Sequence, residues 1–536
     1  MPMSDPIRVA DAGTVRDGEM AEVDAGGTPV LLARVGGRLH ACAARCPHYG
    51  APLATGVLDG PHVVCPWHHA RFDVTTGALC DPPALDGLQA YAVEERDGGV
   101  FVTVAGPAHV PPPAQQDTDG RLFLVLGAGA AAQAAAEELR RQGFQGRIAL
   151  ATPEAEPPYD RTKLSKAYAA GTADDAGLPL RAADFQAARG IETWTGRTAV
   201  ALDPDARTVT FEDGETVAYD ACLVATGGTP RRLDVPGADL PGVFVLRSHA
   251  DARALVGALP RARRAVVVGA SFIGMEAASS LRERGLEVTV VDRAAVPLEA
   301  ALGADVGRVF RDAAEAKGVA FRMEAAIDRI DADGDADGDA GGDGLAVVLA
   351  SGERLPADVV VLGVGVTPAT AFLAGHAFHG DGGGLETDAA LRLADALFAA
   401  GDVAAVPAAS GERVRIEHWR LAQQHGRAAA RAMLGESEPF EGVPFFWSGQ
   451  FGLALRAVGH AHAPDERVVV GSLADAAFVS YAVEGGRAVA ALALGRDKDA
   501  AAFHHLLRRG LAPTAAEVRG GFDPQARLAE AQRADA

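Results

Sequence analysis

Five consecutive apolar residues, Leu122-Phe-Leu-Val-Leu126, run directly into Gly127-Ala-Gly129-Ala-Ala-Ala132 and an alanine-rich stretch that ends near Gly143. A short apolar run bounded by glycine reads as a buried strand. The spacing behind it reads as a dinucleotide-binding turn that opens a helix. Gly127 permits the tight turn, Gly129 lets backbone N–H groups approach a pyrophosphate, and Ala132, in the third glycine position, keeps helix and strand close. A second strand is expected over Arg147 to Ala151, and Glu154, 27 residues past Gly127, is placed to take a ribose hydroxyl.

The unit occurs twice. Ala265-Val-Val-Val-Gly269-Ala-Ser271-Phe-Ile-Gly274-Met-Glu276 again has a strand before it and a helix after it, and the following strand ends at Asp292, 23 residues past Gly269. Ser271 takes the place of the central glycine, which crowds a pyrophosphate slightly. The second unit lies between Ala225-Thr226-Gly227 and two later strand–glycine breaks, at Gly365 and at Gly401-Asp402. That nesting predicts one dinucleotide-binding domain interrupted by another.

Ahead of both lies a region of short β-type runs separated by Gly, Asp and Pro, which predicts a small antiparallel domain. It contains Cys46-Pro-His48 and Cys65-Pro-Trp-His68. Two thiolates on one iron and two imidazoles on the other are the ligands of a Rieske [2Fe–2S] centre. Structural zinc is the competing use of the same four residues; one Cys and one His in each half, with a single residue between Cys46 and His48, favours the cluster. Cys42 and Cys80 read as buried or incidental thiols, and His69 as an exposed or supporting residue rather than a fifth ligand. Residues 106–120 read as a proline-rich linker.

Composition narrows the partners. The 536 residues carry 50 basic and 71 acidic side chains, a net charge of −21, which disfavours a nucleic-acid partner. No apolar run reaches the roughly 18 residues of a membrane span, and the N-terminus lacks the basic and apolar parts of a signal peptide; a cytoplasmic protein with no membrane partner, monomer or homodimer, is expected. Only four lysines stand against 46 arginines, and two of the four, Lys163 and Lys166, fall in Tyr159-Asp-Arg161-Thr-Lys-Leu-Ser-Lys166.

On these motifs, and on Glu417-His-Trp419, the chain resembles the FAD-dependent pyridine nucleotide oxidoreductases over nearly its whole length. It is most similar to the oxygenase-coupled ferredoxin reductases and to apoptosis-inducing-factor-like proteins with an N-terminal Rieske domain. The resemblance implies a multidomain fold: an all-β Rieske domain (1–105), a linker (106–120), a Rossmann-like α/β domain for FAD (121–245 and 371–440) around a nested one for NAD (246–370), and a C-terminal α+β domain (441–536). Gly127, Gly129, Ala132 and Glu154 should hold the ADP half of FAD, with Val200 and Gly227 in the same cofactor-binding set. Arg161, Lys166, Thr226 and Asp402 should line the flavin, and Trp419 should lie beside its ring. Gly269, Ser271, Gly274 and Asp292 should bind NAD(P)H, with NADH preferred because Asp292 repels a 2′-phosphate, although Arg293 softens that preference. Lys166, paired with Glu276, should stabilise charge on reduced flavin. Core packing is the alternative role for Trp419 and Trp447.

The disulfide-reductase branch needs a redox cysteine pair, and after residue 80 the chain has only Cys222. Asp331 to Gly344, rich in Asp and Gly, lacks the terminal glutamate of a calcium loop and reads as a solvated hairpin loop. In the C-terminal region a sheet is expected, then a helix from Ala500 to Arg509 capped by Asp499, a surface His504-His505, and a frayed tail over residues 522–536. High-potential Rieske centres carry a loop-bridging disulfide and Ser and Tyr hydroxyl donors; the corresponding positions here are Ala51, Trp67, Ala70 and Phe72. The expected activity is transfer of electrons from NADH through FAD to the fused Rieske cluster and on to an external acceptor of ferredoxin or oxygenase type. The alternative is a redox-sensing or pro-death signalling protein with incidental NADH oxidase activity. A complete Rieske oxygenase would need a mononuclear iron site of two His and one carboxylate, for which the sequence offers no motif.

Overall fold

The computed structural model describes residues 5–104, 119–333, 344–408 and 412–535. They form two compact units. One comprises the N-terminal region up to residue 104 with Glu441–Trp447 and the chain from Leu455 onward; the other comprises the chain from residue 119 to Phe440 with Ser448–Ala454.

The second unit holds the two fingerprints. Leu122–Leu126 is buried along its whole length and lies between Arg147–Ala151 and Ala221–Val224 in a sheet continued by Ile191–Trp194 on one side and Leu397–Ala399 on the other, all parallel. Strands covered on both faces need no polar alternation, which is why this one reads as an unbroken apolar run. The nested sheet is also parallel, in the order Val243–Val245, Val359–Leu362, Arg264–Val268, Glu287–Val291, Val319–Arg322. It begins at Val243, ahead of the expected boundary at 246. Most of the Asp/Gly-rich loop lies outside the described residues. Its flanks, Ile327–Asp333 and Gly344–Leu349, pair antiparallel as the two arms of a hairpin. The expected linker likewise falls almost entirely outside the described residues.

The helix Trp419–Met433 packs on the first fingerprint helix, Ala130–Arg141. It carries His425, which is 3% exposed, has no partner at Nδ1 among the described residues, and meets Phe440 edge-on at 4.6 Å. Burial pushes this imidazole down to about 4, with the charge of Asp402 acting in the opposite direction. Because the folded state releases the proton that the unfolded chain still binds, stability should be fully present above about pH 6.5 and fall as the pH drops towards 4. The difference amounts to about 3 kcal/mol. Thermal or urea midpoints at pH 7.5 and 5.0 test this: His425→Leu should lose less stability over the interval than the parent chain, and equal losses would refute the assignment.

In the first unit a six-stranded antiparallel sheet is joined by a four-stranded one, Val57–Asp59, His62–Val64, Arg71–Asp73 and Leu79–Asp81. The C-terminal part is a five-stranded sheet from Phe445–Gln450 to Arg487–Leu494 with the helices Asp497–Arg508, Ala515–Arg519 and Pro524–Asp535. Three expectations are corrected here. Residues 524–535 are a helix, not a frayed tail, because Leu528 is buried with Val57, Val64, Ala502 and Leu506, and Gln532 donates to the Leu58 carbonyl at 2.6 Å. The helix expected from Ala500 starts at Asp497 with Arg496 as its cap, so Asp499 lies inside the first turn. His504 and His505 are 2% and 3% exposed rather than on the surface: His504 meets His69 at 2.9 Å, and His505 meets Asp59 at 2.7 Å. Arg509 also reaches Asp59, and Arg508 reaches Asp81 at 2.5 Å. The four-stranded sheet is thus held to the C-terminal helices by a small apolar core ringed with ion pairs. Each fully buried Leu or Val in such a core contributes about 1.5–3 kcal/mol.

Candidate functional site

Both fingerprint turns depend on close backbone approach. A Cβ on Gly127 (φ 122°) would stand 2.3 Å from the Ala225 carbonyl oxygen, and one on Gly269 (φ 100°) 2.4 Å from that of Gly363. At Gly129, by contrast, a Cβ would meet nothing within 4 Å. The space above this N-terminus of a twelve-residue helix is open, no side-chain hydrogen bond caps it at Gly129, and it presents the positive end of the helix dipole, which suits a pyrophosphate. Ala132 is fully buried on that helix. In the second turn the Ser271 hydroxyl donates to the Gly363 carbonyl at 2.8 Å, which gives its polar end a place within the turn.

Around the first turn the expected residues converge. The Glu154 carboxylate accepts from Arg161 Nη2 at 2.6 Å and from the Tyr159 hydroxyl at 2.5 Å. Arg161 also donates to the Arg247 carbonyl at 2.7 Å, and the Arg247 guanidinium pairs with Asp402 at 2.8 Å. A Cβ on Gly227 would lie 3.0 Å from the same guanidinium, and the Thr226 hydroxyl donates to the Ala369 carbonyl at 2.7 Å. Arg247 was not among the residues expected from sequence; it links the Thr226-Gly227 turn to Asp402, and a single arginine in a Leu-Arg-Ser string gave no signal. Trp419 is half-buried at the first turn of its helix, packed against the core of this domain. Val200 stands apart from this set. It is 47% exposed on Ala199–Asp203, a strand of a separate three-stranded sheet. The segment that reaches the end of Arg147–Ala151 is Gly196-Arg197, whose N–H groups donate to the Glu154 and Thr152 carbonyls at 3.1 and 2.8 Å.

Lys166 lies on a single π-turn, Leu164–Tyr168, a widened helical turn frequent at functional sites. Its Nζ is 2.9 Å from Glu276 Oε2. Glu276 is 4% exposed and also accepts from Ser165 at 2.5 Å and from Ser448 at 2.7 Å. A buried carboxylate is tolerated where cation and hydroxyl partners satisfy it, and here both oxygens are satisfied. Ser448 was missed: it arrives from 172 residues downstream, in a string with no motif of its own. In the nested domain, Asp292 accepts the N–H of Ala270 at 2.6 Å and of Ala294 at 2.7 Å. The carboxylate is therefore fixed against the Gly269-Ala-Ser271 turn, with further lone pairs for a ribose.

In the first unit, Cys46 and Cys65 are 2% and 1% exposed and share a hydrogen bond that raises the Cys46 thiol and lowers that of Cys65. His48 and His68 approach Nδ1 to Nδ1 at 3.0 Å. The two loops are closed alike, Cys46 N–H to the Ala51 carbonyl and Cys65 N–H to the Ala70 carbonyl, both at 2.9 Å. Among the described residues no three His, Cys, Asp or Glu gather about a single point; the four donors stand as a sulfur pair and a nitrogen pair, the division a two-iron cluster with mixed ligation uses. His69, buried and stacked on Phe445 at 3.8 Å, turns to His504 instead. Trp447 covers the His68 ring at 4.3 Å. Arg456, 7% exposed, lies where its charge acts on Cys65.

The pyridine nucleotide-disulphide oxidoreductase family profile matches residues 122–426. The chain belongs to that family. Profiles of the Rieske [2Fe–2S] domain and of the reductase C-terminal domain match residues 5–92 and 445–532 of this oxidoreductase. It is 35% identical to apoptosis-inducing factor 3 of Mus musculus, over 94% of this chain and 84% of that protein. It is also 35% identical to the 5,5'-dehydrodivanillate O-demethylase ferredoxin reductase subunit of a Sphingobium species, over 70% of this chain and 90% of the relative. A ferredoxin reductase from Rhodopseudomonas palustris superposes with a TM-score of 0.69 at 31% identity, covering 74% of this chain and 97% of that one. The protein is therefore an NAD(P)H-dependent flavoprotein oxidoreductase of ferredoxin-reductase type with a fused Rieske domain. The family name refers to a disulphide, yet beyond residue 80 the oxidoreductase has only Cys222, fully buried and with its thiol pushed up by burial. No helix among the described residues is long and apolar enough to cross a membrane.

Proposed function

We propose that the protein carries electrons from NADH through FAD to its own Rieske cluster and on to an external one-electron acceptor of ferredoxin or oxygenase type. The observation that carries the proposal is the presence in one chain of two nucleotide-binding turns, a half-buried Lys166 held by the buried Glu276, and a two-Cys, two-His site. FAD accepts a hydride yet can release electrons singly, and a Rieske cluster takes one. Gly127, Gly129, Glu154, Arg161, Arg247 and Asp402 hold and orient the flavin nucleotide in this reading. Lys166 presents a fixed positive charge, and Glu276 with its two serines holds that charge in place. Cys46, His48, Cys65 and His68 hold the iron. Anaerobic titration with NADH, followed optically and by EPR, tests the whole: flavin and iron signals should both reduce, and an external acceptor should then reoxidise both. A long-lived reduced complex with negligible turnover would favour the sensor reading instead.

NADH should be preferred over NADPH, because the Asp292 carboxylate, held against the Gly269-Ala-Ser271 turn, would repel the 2′-phosphate of a nucleotide bound there. Arg293, exposed beside it, keeps the preference from being absolute. The ratio of kcat/KM for the two nucleotides measures this, and Asp292→Asn should narrow the ratio; equal values in the parent protein would refute the role of Asp292.

The cluster should lie near the low-potential end of the Rieske range, about −150 mV. Ala51, Ala70 and Phe72 are fully buried beside the ligand cysteines and offer no disulfide and no hydroxyl to the sulfurs. Each missing charge-assisted hydrogen bond withholds about 1.5–3 kcal/mol from the reduced state. The buried guanidinium of Arg456 opposes this in part. Spectroelectrochemical titration should give a negative midpoint that Ala70→Ser raises; a midpoint above zero would refute the argument.

A further inference from the structure

Arg456 is 7% exposed on the strand Leu453–Gly459. Its guanidinium makes only two long contacts: Nη1 donates to the Leu455 carbonyl at 3.3 Å, and Nη2 stands 3.5 Å from the Asp497 carboxylate. Nε is buried without a hydrogen-bond partner among the described residues. Arg140, equally buried, shows how a structural arginine is satisfied: it donates to the carbonyls of Arg189, Phe144, Gly146 and Gly190 at 2.6–2.8 Å. A guanidinium stays charged at any working pH, and burying that charge is costly unless it is closely paired. The fold places this under-paired charge beside the two-Cys, two-His site. The Gly459 N–H donates to the Pro444 carbonyl at 2.8 Å, and only Phe451-Gly452 separates Leu453–Gly459 from its neighbour strand Phe445–Gln450. Counting along this antiparallel pair puts Arg456 opposite Trp447, on the same face. Trp447 covers the His68 ring at 4.3 Å, and Phe445, on that face too, stacks on His69 at 3.8 Å. Cys65 is 1% exposed, and the Arg456 charge lowers its thiol.

We propose that Arg456, carried by the C-terminal domain, sets the reduction potential of the iron–sulfur site in the N-terminal domain by holding an under-paired positive charge beside it. The inference rests on the proposed cluster and gives a role to a residue outside its ligand set. Two ferric irons, two sulfides, two thiolates and two neutral imidazoles sum to zero charge, and one electron makes the site singly negative. NADH gives up two electrons and leaves as NAD⁺ with release of one proton; each electron that reaches the site singly adds that one negative charge. A fixed cation in a water-poor setting favours the negative state over the neutral one. Arg456 thereby offsets part of what the missing hydroxyl donors withhold. Asp497, its one carboxylate partner, is a third exposed and moderates the effect without cancelling it.

The test is the cluster midpoint in the full-length holoprotein, titrated with dithionite and mediators and followed by EPR. Arg456→Met should lower the equilibrium constant for one-electron reduction by about tenfold or more, a fall in midpoint of at least about 59 mV. Arg456→Lys, which keeps the charge, should hold most of the parent value. Asp497→Asn should move the midpoint the other way, upward, because the guanidinium then loses its counter-charge. Shifts of opposite sign from two partners in one contact are what a merely structural role would not produce. An unchanged midpoint in Arg456→Met with iron in place would overturn the proposal. If Arg456→Met assembles no cluster, Asp497→Asn decides: an upward shift supports the proposal, and an unchanged or lowered midpoint overturns it. Dithionite bypasses the nucleotides, so these shifts are read independently of the electron chain. A parent cluster that dithionite reduces and NADH does not would overturn that chain while leaving the role of Arg456 standing.

Discussion

Replacing His68 with alanine is expected to take iron from about two atoms per chain to background while the flavin remains bound and is still reduced by NADH. Reduction of one-electron acceptors should fall to the level of the flavin alone. In the proposed site His68 supplies one of the two nitrogen donors, and it is 9% exposed between His48 and Trp447. The residues assigned to the nucleotides belong to the other compact unit, from residue 119 to Phe440, with its own parallel sheets and its own buried core. Cys46→Ser should act in the same direction through the sulfur pair. The measurement is iron and flavin content on one preparation, with the EPR signal of the dithionite-reduced sample. Stoichiometric zinc without iron in anaerobically prepared parent protein would sink the cluster assignment, and loss of flavin in His68→Ala would show that the two units do not fold independently.

Lys166→Met is expected to slow flavin reduction by NADH by a factor on the order of 10² to 10³, the usual consequence of removing one preorganised charge from a low-dielectric site. It should also destabilise the fold. The Glu276 carboxylate, 4% exposed, would keep Ser165 and Ser448 but lose its cation, and an under-satisfied buried charge costs about 1–3 kcal/mol. Glu276→Gln separates the two effects, since the amide needs no counter-charge and leaves the lysine in place, less well held. Its stability should stay near that of the parent, and its flavin reduction should fall between the parent and Lys166→Met. Lys166→Arg should not rescue fully, because a planar fork does not reproduce a compact ammonium at 2.9 Å from one carboxylate oxygen. Transient reduction kinetics with chemical denaturation of the same samples would decide it, and an unchanged reduction rate in Lys166→Met would remove the lysine from the mechanism.

Much of this protein is legible in short strings of its sequence. A tight glycine turn between a buried strand and a helix is specified by neighbouring residues alone, which is why both nucleotide turns, and the strands flanking them, stand where the glycine spacing puts them. The Cys-x-His and Cys-x-x-His pairs are equally local, each closed by a hydrogen bond within its own loop. Arg247 and Ser448 are of another kind. They come to Asp402 and Glu276 from 155 and 172 residues away in the chain, and nothing in their immediate sequence marks them. The same holds where the reading went astray. His504 and His505 read as surface because the pair has no partner at metal spacing in the sequence, and the last residues read as a tail; what buries them is Asp59, His69 and an apolar patch of the N-terminal domain more than 400 residues earlier. Val200 entered the cofactor-binding set through the resemblance; strand pairing leaves it 47% exposed on a separate sheet, and Gly196-Arg197 is the segment that reaches the end of Arg147–Ala151. Backbone geometry within a few residues fixes turns and ligand spacing, so sequence alone determined the cofactor classes. Which distant side chain completes a buried charge depends on how packed sheets and helices meet, so that was decided only by the tertiary structure.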